Sequence, residues 1–225
     1  MTQRLIDRIK TQILSEGPMG LDTYMRLCLA DPEQGYYTNN YPIGRGGDFI
    51  TAPEISQLFG EMLAIWVIDC WQKLARPRPW SLIEAGPGRG TLMADMLRVI
   101  SKLAPECASS LSVRLIEVSE TLKKQQQTIL QPFTFDIRWQ SCLDDLGQAP
   151  FIFIANEFLD ALPIRQYQFE KGQWWERAVG LTAQGQLSFG LKATAFQGPD
   201  GQAPLEGQIF EVCLAAQSIV EYVST

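Results

Sequence analysis

Trp80-Ser81-Leu82-Ile83-Glu84-Ala85-Gly86-Pro87-Gly88-Arg89-Gly90-Thr91-Leu92 is the stretch on which the fold turns. Trp80 to Ala85 is short and nearly all apolar, as a strand buried on both faces must be. Thr91 to Leu103 then carries apolar residues at helical spacing. Between them Gly86, Gly88 and Gly90 allow a sharp turn and a close backbone approach, which a Cβ would obstruct. The same alternation continues downstream. Val113 to Val118 is read as a second strand and Ser119 to Leu130 as a helix. Phe133 to Trp139 and Phe151 to Ala155 are read as a third and a fourth strand. Apolar strands separated by helices predict an α/β fold with a parallel sheet covered on both faces.

Upstream, the chain reads as helical. One helix is expected from Thr2 to Ser15, ending at Gly17-Pro18, and a second from Asp22, ending before Pro32. Gln34 to Phe49 is rich in Gly, Asn and Tyr and predicts an irregular, functional loop. Thr51-Ala52-Pro53-Glu54 announces a further helix, with Thr51 as cap and Glu54 closing a capping box. Its apolar residues, Ile55 to Leu74, run so widely around the helix that burial on more than one side is expected. Arg76-Pro77-Arg78-Pro79 is a natural junction. From Ile164 the pattern becomes antiparallel, with turns at Lys171-Gly172 and Gln184-Gly185, and a last helix is expected over Phe210 to Tyr222. The domains expected are therefore 1–76, a helical cap with the Gly/Tyr-rich loop, and 77–225, a Rossmann-like domain with a β-hairpin insertion at 164–191.

Composition removes several classes. The 225 residues suffice for a real core, and the net charge of −6 disfavours a general nucleic-acid binder. There is no histidine, which excludes Ser-His-Asp and Cys-His hydrolases and histidine–metal sites. The five cysteines form no C-x-x-C pair, so neither a zinc site nor a disulfide framework is expected, and a reducing cytoplasm fits. No apolar run approaches the ~20 residues of a membrane span.

The spacing of the loop is G-x-G-x-G, not G-x-G-x-x-G, and so resembles the motif of methyltransferases more than that of NAD-binding domains. Glu117, where the next strand ends, can accept hydrogen bonds from both hydroxyls of a ribose. Glu84 closes the first strand, near where a cationic methionyl group would lie. Acidic strand ends suit a sulfonium cofactor and repel a pyrophosphate. Asn156, Glu157 and Asp160 follow the fourth strand, beyond whose carboxyl end ligands sit in open α/β sheets.

Three blocks now stand together: Gly47 to Glu61, Glu84 to Leu92, and Asn156-Glu157-Phe158-Leu159-Asp160-Ala161-Leu162-Pro163. With Asp31 to Tyr37 and Ile116 to Ser119, they resemble the MidA/NDUFAF-seven family of S-adenosylmethionine-dependent methyltransferases. That family is related to the mitochondrial factor that dimethylates an arginine on a respiratory complex I subunit. The resemblance implies a Rossmann-like class I sheet, S-adenosyl-L-methionine as cofactor, and a protein substrate, a respiratory complex I-type subunit being one candidate. On this reading Glu84, Gly86, Gly88, Gly90, Glu117 and Asn156 seat the cofactor. Glu157, Asp160 and Asp48 are the candidates for holding an arginine. Members of the family continue further, so the chain is expected to be a C-terminally shortened member that lacks the last strands. A cofactor-binding assembly factor or chaperone without turnover remains an alternative, and a nicotinamide oxidoreductase is disfavoured by the glycine spacing.

Overall fold

The structure, a computed structural model, describes residues 2–39, 51–143, 146–201 and 203–224. The chain begins with α1 (Gln3–Glu16), β1 (Met19–Gly20), α2 (Leu21–Ala30) and α3 (Tyr36–Asn39). It continues with α4 (Ala52–Ile55), α5 (Gln57–Lys73), β2 (Trp80–Ala85), α6 (Thr91–Leu103), α7 (Pro105–Ala108) and β3 (Leu111–Ile116). Next come α8 (Glu120–Leu130), β4 (Asp136–Gln140) and β5 (Phe151–Ile154). The rest is β6 (Arg165–Glu170), β7 (Gln173–Leu181), β8 (Leu187–Lys192), β9 (Ile209–Val212) and α9 (Leu214–Ser224).

Two compact units result. One gathers the described residues up to Asn39 with those from Ala161 onward, and the other those from Thr51 to Asp160. The expected boundary at 76/77 does not coincide with this division. The reason lies in α5, whose Ala64, Val67 and Trp71 share one core with Trp80 and Leu82 of β2 and Met93 and Met96 of α6. The 164–191 segment is likewise no insertion into the parallel-sheet unit. It forms most of a five-stranded antiparallel sheet, in which β7 pairs β1, β6 and β8, and β6 pairs β9.

In the unit from Thr51 to Asp160, the sheet is parallel and four-stranded, in the order β4-β3-β2-β5. The central strand β2 is buried along its whole length, as its run of apolar residues requires. From β2 the chain crosses to β3 and β4 on one side, and β5 returns to the other. The strand order therefore reverses between β2 and β5, and the crevice beyond their carboxyl ends is where such sheets take ligands.

In the other unit α1 keeps the expected helix. Thr2 accepts from the Leu5 amide at its start, Gly17 with φ +86° ends it, and Leu5, Ile9 and Ile13 form its buried stripe. That stripe packs with Met19, Leu21 and Val179.

Several expectations are corrected. The single helix from Thr51 is two, α4 and α5, because Ser56 is extended and caps α5 by accepting from the Leu58 amide. Helix α5 is buried along one stripe only. Leu58, Met62 and Trp66 are 60%, 56% and 50% exposed, so its breadth of apolar residues did not mean burial all round. The start of the Gly/Tyr-rich stretch is the short helix α3, and the last helix begins only at Leu214, since Ile209–Val212 pairs with β6 instead. Asp48 and most of its loop lie outside the described residues.

Candidate functional site

Three short connections meet at the carboxyl edge of the parallel sheet. The glycine loop follows β2, Glu117 follows β3, and Asn156 to Asp160 follow β5. The loop leaves β2 with the Gly86 amide donating to the Ile116 carbonyl at 3.0 Å, and closes with the Gly90 amide on the Pro87 carbonyl at 2.8 Å. Gly86, Gly88 and Gly90 all have positive φ, at +65°, +53° and +87°. At Gly86 the requirement is double, because a Cβ there would stand 2.7 Å from the Phe158 ring as well as in a left-handed backbone. Gly90 is the N-cap of α6, where a Cβ would press on Gln126 at 3.2 Å.

Glu117 is buried, and both its oxygens are engaged. Oε1 accepts from the Ser119 amide at 2.8 Å and Oε2 from Gln126 Nε2 at 3.1 Å. Burial raises its carboxyl above the ordinary range, while these hydrogen bonds pull it back. Gln126 is wholly buried and donates also to the Gly88 carbonyl at 2.7 Å, while its Oε1 accepts from the Trp139 indole at 2.8 Å. An indole N–H can only donate, so Trp139 fixes which end of the amide faces Glu117 and the loop. The sequence reading missed Gln126, which sits in the polar run Lys123 to Gln127. Its signal was the spacing Leu122-Gln126-Leu130, the buried stripe of α8.

Glu84 stands apart. Its side chain is 2% exposed, its Oε2 has no hydrogen-bond partner, and burial alone pushes the carboxyl up to about 8. Glu54 was also misread. Thr51 makes no side-chain cap bond, and Glu54 closes no box. Instead its Oε2 accepts from Arg89 at 2.9 Å and its Oε1 from the Thr91 hydroxyl at 2.7 Å. Helix α4 is thereby tied to the glycine loop.

After β5, Asn156 is half-buried, while Glu157 and Asp160 are exposed. Glu157 has φ +49°, a left-handed conformation that costs a non-glycine residue about 1 kcal/mol or more. The structure thus brings Glu84, Gly86, Gly88, Gly90, Glu117, Asn156, Glu157 and Asp160 to one edge of one sheet.

Residues 62–225 match the family of S-adenosyl-L-methionine-dependent methyltransferases. The chain belongs to that family. Its relatives include the protein arginine methyltransferase NDUFAF7 homolog, mitochondrial, of Drosophila melanogaster, 37% identical over 202 residues. That alignment covers 80% of this chain and 45% of the relative. The protein arginine methyltransferase NDUFAF7, mitochondrial, of Danio rerio is 36% identical, covering 84% of this chain and 50% of its own. The chain thus spans about half the length of the curated relatives it matches. A solved superfamily member from Burkholderia thailandensis, bound to S-adenosyl-homocysteine, superposes with a TM-score of 0.84 at 27% identity. It covers 98% of this chain, and this chain covers 59% of it.

The donor set fits the cofactor this family uses. Glu117 is a buried acceptor beside a glycine cradle, as a ribose needs, and Glu84 is a buried carboxyl whose Oε2 has no donor among the described residues. A pyrophosphate there would lie against the Glu117 carboxylate, which repels it.

Proposed function

We propose that this chain binds S-adenosyl-L-methionine at the crevice between β2 and β5 and directs its methyl group to an arginine of a protein substrate. The observation that carries the cofactor half is the Gln126 network, which holds Glu117 and the Gly88 carbonyl in fixed positions beside the glycine loop. The acceptor half is supported by the arginine methyltransferase names of its relatives and by the exposed carboxylates of Glu157 and Asp160.

When bound, S-adenosyl-L-methionine supplies a methyl group on a sulfonium, open to in-line displacement. The chain's own share is alignment and charge. Gly86, Gly88 and Gly90 let the backbone approach the nucleoside, Glu117 accepts from the ribose hydroxyls, and Asn156 offers an amide at the crevice. Glu157 and Asp160 accept the N–H groups of the guanidinium, which is cationic at any working pH, and hold its plane. One of these carboxylates takes the proton that the guanidinium nitrogen loses as its bond to carbon forms. Asp48 remains a third candidate for that cradle.

Among the described residues no helix is long and apolar enough to cross a membrane. None of the five cysteines is joined in a disulfide, which fits a reducing compartment such as the cytoplasm. A respiratory complex I-type subunit is the first substrate to test, on the strength of the family resemblance carried by Gly47 to Glu61, Glu84 to Leu92 and Asn156 to Pro163. Titration calorimetry with S-adenosyl-L-methionine tests the cofactor half. Transfer of a labelled methyl group to candidate proteins, located on arginine by mass spectrometry, tests the rest. Cofactor binding with no transfer to any of them would favour an assembly factor without turnover.

A further inference from the structure

The carboxyl end of β2 holds a group whose chemistry is unfinished in the free protein. By the two-residue period of a strand, Glu84 shares the face of Trp80 and Leu82, the face that packs on α5 and α6. Its register partners on the neighbouring strands are Leu115 and Ile154, both buried and apolar. An ionised carboxylate there, with Oε2 accepting nothing, would carry a large desolvation cost and no compensation.

Nor does a neighbouring cation relieve it. Of the charged groups carried by the elements packed on this face, Arg89 pairs with Glu54, and Arg98 with Asp95 and Glu61. Lys73 pairs with Asp69 and Lys123 with Glu120, while Lys102 and Lys124 are exposed. Apart from Arg89, already paired, the charged residues beside the ends of β2, β3 and β5 include Glu117, Glu157 and Asp160, all carboxylates. Among the described residues Glu84 therefore has no cationic partner.

We propose that Glu84 carries a proton in the free protein and gives it up to solvent when the cationic methionyl end of the cofactor binds. The inference rests on the cofactor reading above. The O–H bond of the carboxyl breaks, the proton leaves to bulk water, and the carboxylate that remains balances the positive charge brought by the ligand. Glu84 thereby recognises charge: a ligand without a cationic tail leaves the proton in place. Burial that holds the carboxyl at about 8 agrees with this, since the group is then mostly protonated at neutral pH.

The test is calorimetric titration of the whole chain at pH 7 in phosphate and in Tris, whose ionisation enthalpies differ widely. The expected result is release of close to one proton on binding S-adenosyl-L-methionine, and none on binding 5′-methylthioadenosine, which keeps the nucleoside and lacks both cationic groups. Release by S-adenosyl-homocysteine as well would support the proposal with the ammonium as trigger, and release by S-adenosyl-L-methionine alone would support it with the sulfonium. Affinity should rise about tenfold from pH 6 to pH 7, as expected where one proton is exchanged for the ligand. In Glu84→Gln both the proton release and this pH dependence should vanish. An infrared difference spectrum of the unaltered protein reads the same event independently, as loss of a protonated carboxyl band on binding.

Binding of S-adenosyl-L-methionine without proton release, or equal release by 5′-methylthioadenosine, would overturn the proposal while leaving the cofactor reading intact. Absence of any binding would overturn the cofactor reading, and the proton coupling with it.

Discussion

The ends of β2 and β3 lie side by side in one parallel sheet, each marked by a buried glutamate, and the two are finished differently. Glu117 beyond β3 has both oxygens hydrogen-bonded, through Ser119 and Gln126. Glu84 on β2 has an oxygen bonded to nothing. Buried polar groups are nearly always satisfied, so the contrast separates two kinds of preparation. The β3 side is rigid and complete before any ligand arrives. The β2 side keeps an acceptor, Glu84 Oε2, that has no partner among the described residues. A neutral, shape-demanding group such as a ribose suits the first, and a charged group suits the second.

The sharpest way to break this contrast is to read stability against pH. Burial holds the Glu84 carboxyl at about 8, above its ordinary 4.5. The folded chain thus keeps a proton that the unfolded chain has lost. The stability this contributes is fully present below pH 4.5 and is lost as pH rises through about 8. Glu84→Gln is neutral throughout and should not lose it, so at pH 9 the variant should gain roughly 5 kcal/mol relative to the parent. Urea unfolding at pH 5, 7 and 9 measures this. Parallel profiles for the two proteins would mean that Glu84 is not held neutral.

On the β3 side, Gln126→Leu removes the centre of the completed network. Trp139 Nε1, the Gly88 carbonyl and Glu117 Oε2 then each lose a partner in a buried place. A loss of about 3 kcal/mol in stability is expected, with at least tenfold weaker cofactor binding. If affinity falls no more than stability requires, and Gln126→Met behaves the same, the network is structural only.

The glycine loop connects the two strand ends, and Gly86→Ala strains it in two ways. The left-handed backbone costs about 1–2 kcal/mol, and the new Cβ meets the Phe158 ring at 2.7 Å. Adding Phe158→Ala should recover affinity for S-adenosyl-L-methionine only in part, because it removes the clash and leaves the backbone cost. Full recovery would show that the positive φ of Gly86 is incidental.

How much of this was legible in the sequence depends on whether a residue signals by pattern or by partner. The parallel sheet, the glycine loop and the two acidic strand ends follow from local runs and spacing, and the structure places them where they were expected. Strand β9 did not signal: Ile209–Val212 continues apolar into α9, and only pairing with β6 makes it a strand. Helix α5 was read as buried on several sides because apolar breadth cannot say how many faces are covered. Gln126 and Glu54 were missed for the same physical reason. Both act across 35 residues or more of chain, Gln126 on Gly88 and Glu54 on Arg89, while their local context offered a polar helix run and a capping box.

Glu54 also provides the finest test of the contrast. Arg89 is 40% exposed, so its pair with Glu54 is worth less than about 1 kcal/mol to stability. Its larger effect should be on charge in the loop. In Glu54→Gln the hydrogen bond from Thr91 can persist while Arg89 loses its counter-ion, leaving an uncompensated cation between Gly88 and Gly90. S-adenosyl-L-methionine carries one more positive charge than S-adenosyl-homocysteine, so its affinity should fall a few-fold more, and the gap should close as salt is raised. Calorimetry with both ligands at low and high salt reads the ratio directly. Equal loss for the two would mean that Glu54 only anchors α4 to the loop. Unequal loss would extend the β2 side of the contrast to a second carboxylate, one that acts by silencing a cation instead of by meeting one.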